Sequence, residues 1–152
     1  MIRLEFISFL SLITFVSCGF TEQKPPLISS EKESYYKKNI VGTWHSIQKE
    51  NGLRVVSEKT FHKGGTASGL LYSNFIDRRS SNHLPPIRYT SKWKITGSII
   101  KIYDMRSELP GLLNPADIDM DHIIDMDDQR IIYYCQPSGE TIIYHKGKYA
   151  PY

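Results

Sequence analysis

Arg88-Tyr89-Thr90-Ser91-Lys92-Trp93-Lys94-Ile95-Thr96-Gly97-Ser98-Ile99-Ile100-Lys101-Ile102 is the stretch whose reading decides the fold. In an extended chain Tyr89, Ser91, Trp93 and Ile95 share one face, and Arg88, Lys92 and Lys94 share the other. That period of two marks a strand with one face buried and one in water. Thr96-Gly97-Ser98 supplies a turn, and a second apolar run starts at Ile99. Two such runs around a glycine turn predict an antiparallel hairpin.

The same pattern continues in both directions. Strands are expected over 40–49, 53–62, 66–75, 88–96, 99–106, 118–127, 130–136 and 140–146. The turn signals between them are Asn51-Gly52, Lys63-Gly64-Gly65, Thr96-Gly97-Ser98, Asp127-Asp128-Gln129 and Pro137-Ser138-Gly139, with longer stretches over 76–87 and 107–117. Before the strands, Ser30 and Glu33 have capping-box spacing, which predicts a short helix over 31–38 with Ser30 as cap. Eight antiparallel strands joined in order suit an up-and-down barrel, because closure removes both exposed edges. In such a barrel successive links alternate between the two ends. The second, fourth and sixth links are tight, so one end is expected to be sealed by hairpins. The long links 76–87 and 107–117 then ring a mouth at the other end.

The strand at 118–127 alternates cleanly. Ile118, Met120, His122, Ile124 and Met126 are expected to face inward, and Asp117, Asp119, Asp121, Asp125 and Asp127 to form a solvated acidic face. Asp117, Asp119, Asp121, Asp125 and Asp128 also match a calcium-loop spacing, but His122 stands where that loop needs glycine for its sharp turn. The five histidines, at 45, 62, 83, 122 and 145, lack paired ligand spacing, so no metal and no cofactor are expected.

Val41-Gly42-Thr43-Trp44 resembles the opening Gly-x-Trp of lipocalins and of the small bacterial lipocalin-like domains. Thr60-Phe61-His62-Lys63-Gly64-Gly65-Thr66 is similar to the Phe-x-x-Asp-Gly-Thr hairpin of the bacterial group, with Gly64 in place of the acid, and Tyr89 to Ile102 resembles its central hairpin. The resemblance covers about residues 38–147. It implies a lipocalin-like eight-stranded barrel that binds small apolar molecules. It also implies structural roles for Gly42 and Trp44, the tryptophan packing across the closed base.

The N-terminus carries an address. Arg3 precedes an apolar run from Phe6 to Val16, followed by Ser17 and Cys18. A basic start, a short apolar run and a small residue form a secretion signal. The run is too short to span a bilayer, which takes about 20 residues. Phe15-Val16-Ser17-Cys18 resembles the lipobox of bacterial lipoproteins, with Phe15 where leucine is usual. The expected organisation is a signal peptide over 1–17, a lipidated Cys18, a polar tether over 18–30 containing Pro25-Pro26, a barrel over 31–148 and a tail over 149–152. Gly19 is not the aspartate that retains some enteric lipoproteins in the inner membrane, so the cell envelope, at the outer membrane, is the expected location. With Cys18 acylated, Cys135 has no partner for an internal disulfide, and its strand setting predicts a buried, inert thiol.

The 152 residues carry 19 Lys+Arg against 16 Asp+Glu, a net charge of +3 that requires no nucleic-acid partner. Gly64 to Gly69 has phosphate-loop spacing, but Leu70-Leu71 follows where Lys and Ser/Thr are needed. Ser29 and Lys32 have serine–lysine spacing without the companion motifs. The chain is therefore not expected to be an enzyme. The leading reading is a lipid-anchored protein that holds a small apolar ligand inside the barrel. Tyr89 and Trp93, with Asp104 and Arg106 continuing the inward face of the fifth strand toward the mouth, are the candidate ligand-binding residues. The bland alternative for Asp104 and Arg106 is that they pair with each other or point to water. The alternative function is an interaction or inhibitor module with a self-filled barrel, acting on an envelope protein through its outer surface, for example around Leu109 to Leu113.

Overall fold

The computed structural model describes residues 27–50, 53–75, 85–135 and 138–150. Cys18, the signal region, most of the tether and most of the 76–87 stretch lie outside the described residues. One helix precedes eight strands: α1 (Ser30–Asn39), β1 (Gly42–Glu50), β2 (Leu53–Phe61), β3 (Thr66–Phe75), β4 (Ile87–Thr96), β5 (Ile99–Ser107), β6 (Asp119–Met126), β7 (Arg130–Cys135) and β8 (Glu140–Lys146). The strands pair antiparallel in chain order and close into a barrel through β8 and β1. The expected fold class is the observed one, and strand boundaries shift by no more than two residues. The closing seam is short: Trp44 lies opposite Lys146 and His45 opposite His145. Gly147 N–H extends it by donating to Thr43 O at 2.8 Å.

The helix cap differs from the expectation by one residue. Ser29, not Ser30, is the N-cap, its hydroxyl accepting from Lys32 N–H at 3.2 Å. Glu33 does not reach back to the cap. One of its oxygens accepts from the Gly97 amide in the β4–β5 turn at 2.7 Å, and the other pairs with Lys37. A single carboxylate thereby fastens α1 to the hairpin end of the barrel.

That end is sealed as the linker lengths implied. Tyr36 of α1 and Ile40, its C-cap, enter one buried cluster with Trp44, Phe61, Trp93, Ile95, Ile100, Met126 and Ile131. Trp44 is wholly buried, and its Nε1 donates to Ile40 O at 2.7 Å. Gly42, just before it, has φ 130°, a backbone conformation that side-chain-bearing residues rarely adopt. Trp93 Nε1 donates to Thr66 O at 3.0 Å and to His62 O at 3.2 Å, which ties the β2–β3 turn to β4. The Phe61 ring meets Trp93 edge-on at 5.7 Å. At the mouth end, Leu113 of the β5–β6 connection packs against the cluster, while Leu109 stays half exposed.

Two strands depart from strict alternation, and both departures move predicted residues. In β5, Ile100 and Ile102 face inward, but Asp104 has φ 52° where the register with β4 slips. This is a β-bulge: one extra residue that reverses the phase beyond it. Met105 takes the next interior position and is 5% exposed. In β6, the register with β7 slips between Ile123 and Asp125. Ile123 is buried and Ile124 is 53% exposed, so the face runs Asp119, Asp121, Ile123 and then Met126. The inward reading of Ile118, Met120, His122 and Ile124 is therefore overturned, Met126 alone holding its place. The solvated acidic face is overturned with it, because Asp121 is only 4% exposed.

Candidate functional site in the barrel interior

Strand register divides the interior into an apolar base and a polar upper half. Lys59 of β2 lies opposite Trp44 on one side and Gly69 on the other, and Gly69 lies opposite Tyr89. Asp119 and Asp121 enter from β6, with Asp121 opposite Cys135 of β7. Tyr133 of β7 and Tyr144 of β8 complete the wall, their rings meeting edge-on at 5.5 Å. The Lys59 ammonium sits 5.6 Å from the Tyr144 ring centre, a cation–π distance. Tyr144 OH donates weakly to Ser57 Oγ at 3.5 Å.

The charges in this ring alter one another. Burial pushes the Asp121 carboxyl up to about 6, and neighbouring Asp119 adds to the rise. Burial also raises Asp119, against the pull of Lys59. Burial opposes the charge on Lys59, but the acidic groups around it, Tyr144 and Tyr89 with Asp119 and Asp121, more than offset that and hold its proton firmly. The Tyr89 hydroxyl is pushed up to about 12, chiefly by burial. Cys135 is a free thiol, half-buried where a buried one was expected, whose proton is held by burial and by the Asp121 charge.

Three polar atoms in this ring lack a well-formed hydrogen bond among the described residues: Tyr89 Oη, which has only the Ser57 hydroxyl near it, Tyr133 Oη, and Asp121 Oδ1, on the carboxylate that the Cys135 thiol approaches. Each belongs to a residue less than one-tenth exposed. A buried polar atom left unsatisfied costs about 1–3 kcal/mol, so native proteins give nearly all of them a partner. Three from three different strands, beside a lysine and a second aspartate, form a concentrated demand for hydrogen bonds. Proteins meet such demand with water or with a bound polar group.

Of the four ligand-binding candidates that the sequence suggests, Tyr89 and Trp93 do face inward. Trp93 belongs to the packed base, and Tyr89 to the polar ring. Asp104 and Arg106 do not line the interior. The bulge turns them to the outer wall, where Asp104 binds Lys92 Nζ and Arg106 Nε, each at 3.0 Å. The bland alternative, pairing with each other, describes them. The calcium-loop acids do not converge either, since Asp125 lies outside with Arg130 and Asp128 is exposed, while Asp119 and Asp121 lie inside. Sequence reasoning missed Lys59, Asp119, Asp121 and Tyr133. Their signal was Lys59 itself, two residues from inward Phe61 and therefore on the same face of β2.

Gly69 is the positional key to Tyr89. A Cβ placed on Gly69 would lie 2.1 Å from Tyr89 Cζ and 2.3 Å from its hydroxyl oxygen. The ring thus crosses the strand where only hydrogen leaves room. Gly69→Ala is expected to cost about 1–3 kcal/mol in urea unfolding, as overpacking does. In a Tyr89→Ala background the same change is expected to cost far less. Equal costs in the two backgrounds would show that the ring does not depend on the glycine.

Two clefts stand out among the described residues, and both lie outside the barrel. One of about 490 Å³ lies between α1 and the β2–β3 and β4–β5 hairpins. The other, about 360 Å³, lies on the outer wall of β3–β5 beside Asp104 and Arg106. No protein-family model matches the chain, and no curated protein matches it.

Proposed function

We propose that this chain is a non-enzymatic, lipid-anchored, lipocalin-like protein of the cell envelope, held by Cys18 at the outer membrane, that binds a small molecule in the upper half of its barrel. The observation that carries this reading is the set of buried atoms without a well-formed hydrogen bond, Tyr89 Oη, Tyr133 Oη and Asp121 Oδ1, gathered beside Lys59 and Asp119. They supply donors and acceptors at fixed positions above an apolar floor, the usual make-up of a small-ligand site. The floor is occupied by Trp44, Phe61, Trp93 and Ile100. The ligand is therefore one whose hydrogen-bonding end enters the ring, in place of the wholly apolar guest that the resemblance implied.

Native mass spectrometry of protein purified from its own host tests this reading. The expected spectrum shows a small molecule retained by the unaltered protein and lost from Tyr133→Phe with Asp121→Asn. Bare protein from the native host, with the double variant more stable and otherwise unchanged, would make the ring purely structural.

One observation favours the interaction reading. Ile124, Tyr134 and Ile143 are 53%, 39% and 45% exposed on the outer wall of β6–β8. Ile132 lies opposite Ile143 in the register and joins them into one apolar strip. A bare barrel that captures a single envelope protein, and loses it in Ile124→Ser with Ile143→Ser, would favour this second reading.

A further inference from the structure

The closed base has a charge pattern of its own. Lys37 and Lys38 of α1, Lys63 of the β2–β3 turn and Lys94 of β4 surround the 490 Å³ cleft, whose floor includes Val41 and Ile95. All four lysines are exposed. They come from three separate elements that α1 and two hairpins bring to one end of the barrel. Glu33 offsets Lys37, but its second oxygen is committed to the Gly97 amide. Glu31 is an exposed acid in the first turn of α1, and two further acids at this end, Asp127, which is held by Arg130, and Asp128, belong to the separate β6–β7 turn.

The tether joins the barrel at this same end. Ile28, directly before the helix cap, packs against the buried core, and Glu33, one turn into α1, accepts from the Gly97 amide at the hairpin end. Leu27, one residue earlier, is 93% exposed. Residues 19–26 then separate it from Cys18. So short a segment has a contour of at most about 30 Å, and it brings the base, rather than the mouth, nearest to the anchor.

We infer that the closed base rests on the anionic lipid headgroups of the membrane that holds the anchor, with Lys37, Lys38, Lys63 and Lys94 around a lipid phosphate and Leu27 at the headgroup boundary. The barrel then stands with its mouth away from that membrane. Lysines near an anionic leaflet each contribute about fivefold to partitioning, and salt screens the effect. The inference rests on the anchored reading of Cys18, not on the ligand site.

The test uses the full chain as its host processes it, reconstituted into vesicles of phosphatidylcholine alone or mixed with phosphatidylglycerol. Lysines are acetylated with a water-soluble reagent and read by peptide mass. Labelling of Lys37, Lys38, Lys63 and Lys94 is expected to fall severalfold on the anionic vesicles only, and to recover at high salt. Lys49, toward the mouth end of β1, is expected to label equally on both. Equal labelling of the four base lysines on the two vesicle types, or protection of Lys49, overturns the inference. The mass of the N-terminal peptide reports separately whether Cys18 carries lipid. Protein without lipid is added to the same vesicles. Protection of the same four lysines then supports the base contact without the anchor, and no protection overturns it.

Discussion

Asp121→Asn is expected to make the barrel more stable near neutral pH, by up to about 3 kcal/mol. The carboxyl is 4% exposed, and burial with Asp119 beside it pushes it up to about 6 from an ordinary 3.8. Each tenfold change in proton affinity is worth about 1.4 kcal/mol. The native chain holds this proton between about pH 4 and pH 6, where the unfolded chain has released it, so stability falls as pH rises through that window and the full cost is present above it. Asp119 is raised for the same first reason and acts in the same direction. Glu33, Asp104 and Asp127 are lowered, each chiefly by hydrogen bonds, and contribute stability that is lost in acid, at or below the lower edge of the window. Urea unfolding across this range is therefore expected to show the unaltered protein losing stability toward neutral pH. Asp121→Asn, with a neutral amide of the same shape, is expected to show a much flatter profile. A flat profile for the unaltered protein, or an undiminished slope in the variant, would remove Asp121 as the source. If the ring binds a ligand, the same substitution weakens binding while strengthening the fold. Sites built for function commonly show that opposition.

This aspartate also shows where the sequence stops being legible. Turn residues and the period of two carried the eight strands, their order and the sealed base, because local chemistry decides them. Thr96-Gly97-Ser98 is a turn in any context, and Tyr89, Ser91, Trp93 and Ile95 point one way without help from neighbours. The facing of β6 and the far end of β5 depended on bulges, and a bulge reverses every side chain beyond it. Counting from Ile118 in steps of two predicts an apolar inner face, yet the chain places its extra residue at Ile124 and puts Asp119 and Asp121 inside. The adjacent pair Ile123-Ile124 permits either phase, so alternation alone does not decide it. In agreement with the observed phase, Lys59 on the opposite side of the barrel is a half-buried charge that Asp119 and Asp121 favour across the interior. That is a tertiary interaction, visible only once β2 and β6 share one interior. Asp104 follows the same logic in reverse. Its φ of 52° lets Met105 take the interior position and leaves the carboxylate to Lys92 and Arg106 outside.

Trp44→Ala is expected to carry the largest stability cost in the chain, about 3–5 kcal/mol, in line with other large-to-small changes in packed cores. Three roles meet in this side chain. It is wholly buried, so its removal leaves a cavity that the rigid β1–β2 ladder has little freedom to collapse. Its Nε1–H donates to Ile40 O at 2.7 Å, one turn beyond Tyr36, and fixes the C-terminal end of α1 to the base. Its ring lies under the Lys146 ammonium, 4.6 Å from the ring centre, at the two-residue seam where β8 closes onto β1. Trp44→Phe separates these roles, because it keeps most of the packing and removes the donor. It is expected to cost only about 1–2 kcal/mol, the penalty of a carbonyl left without its partner plus a smaller ring. Amide exchange supplies the second readout. Trp44→Phe is expected to speed exchange in 30–41 while leaving β5–β7 protected, and Trp44→Ala is expected to speed both α1 and the β1–β8 seam. A Trp44→Ala loss below about 1 kcal/mol, or unchanged protection of α1 in both variants, would mean that Tyr36 and Ile40 hold the helix without the indole. The membrane-facing arrangement proposed for the lysines offers a further readout of the two variants. Lys37 and Lys38 keep their place beside Lys63 and Lys94 only while α1 stays on the base, so Trp44→Ala, which removes both the packing and the donor, is expected to weaken the protection of Lys37 and Lys38 on anionic vesicles more than that of Lys63 and Lys94, and Trp44→Phe to weaken it less.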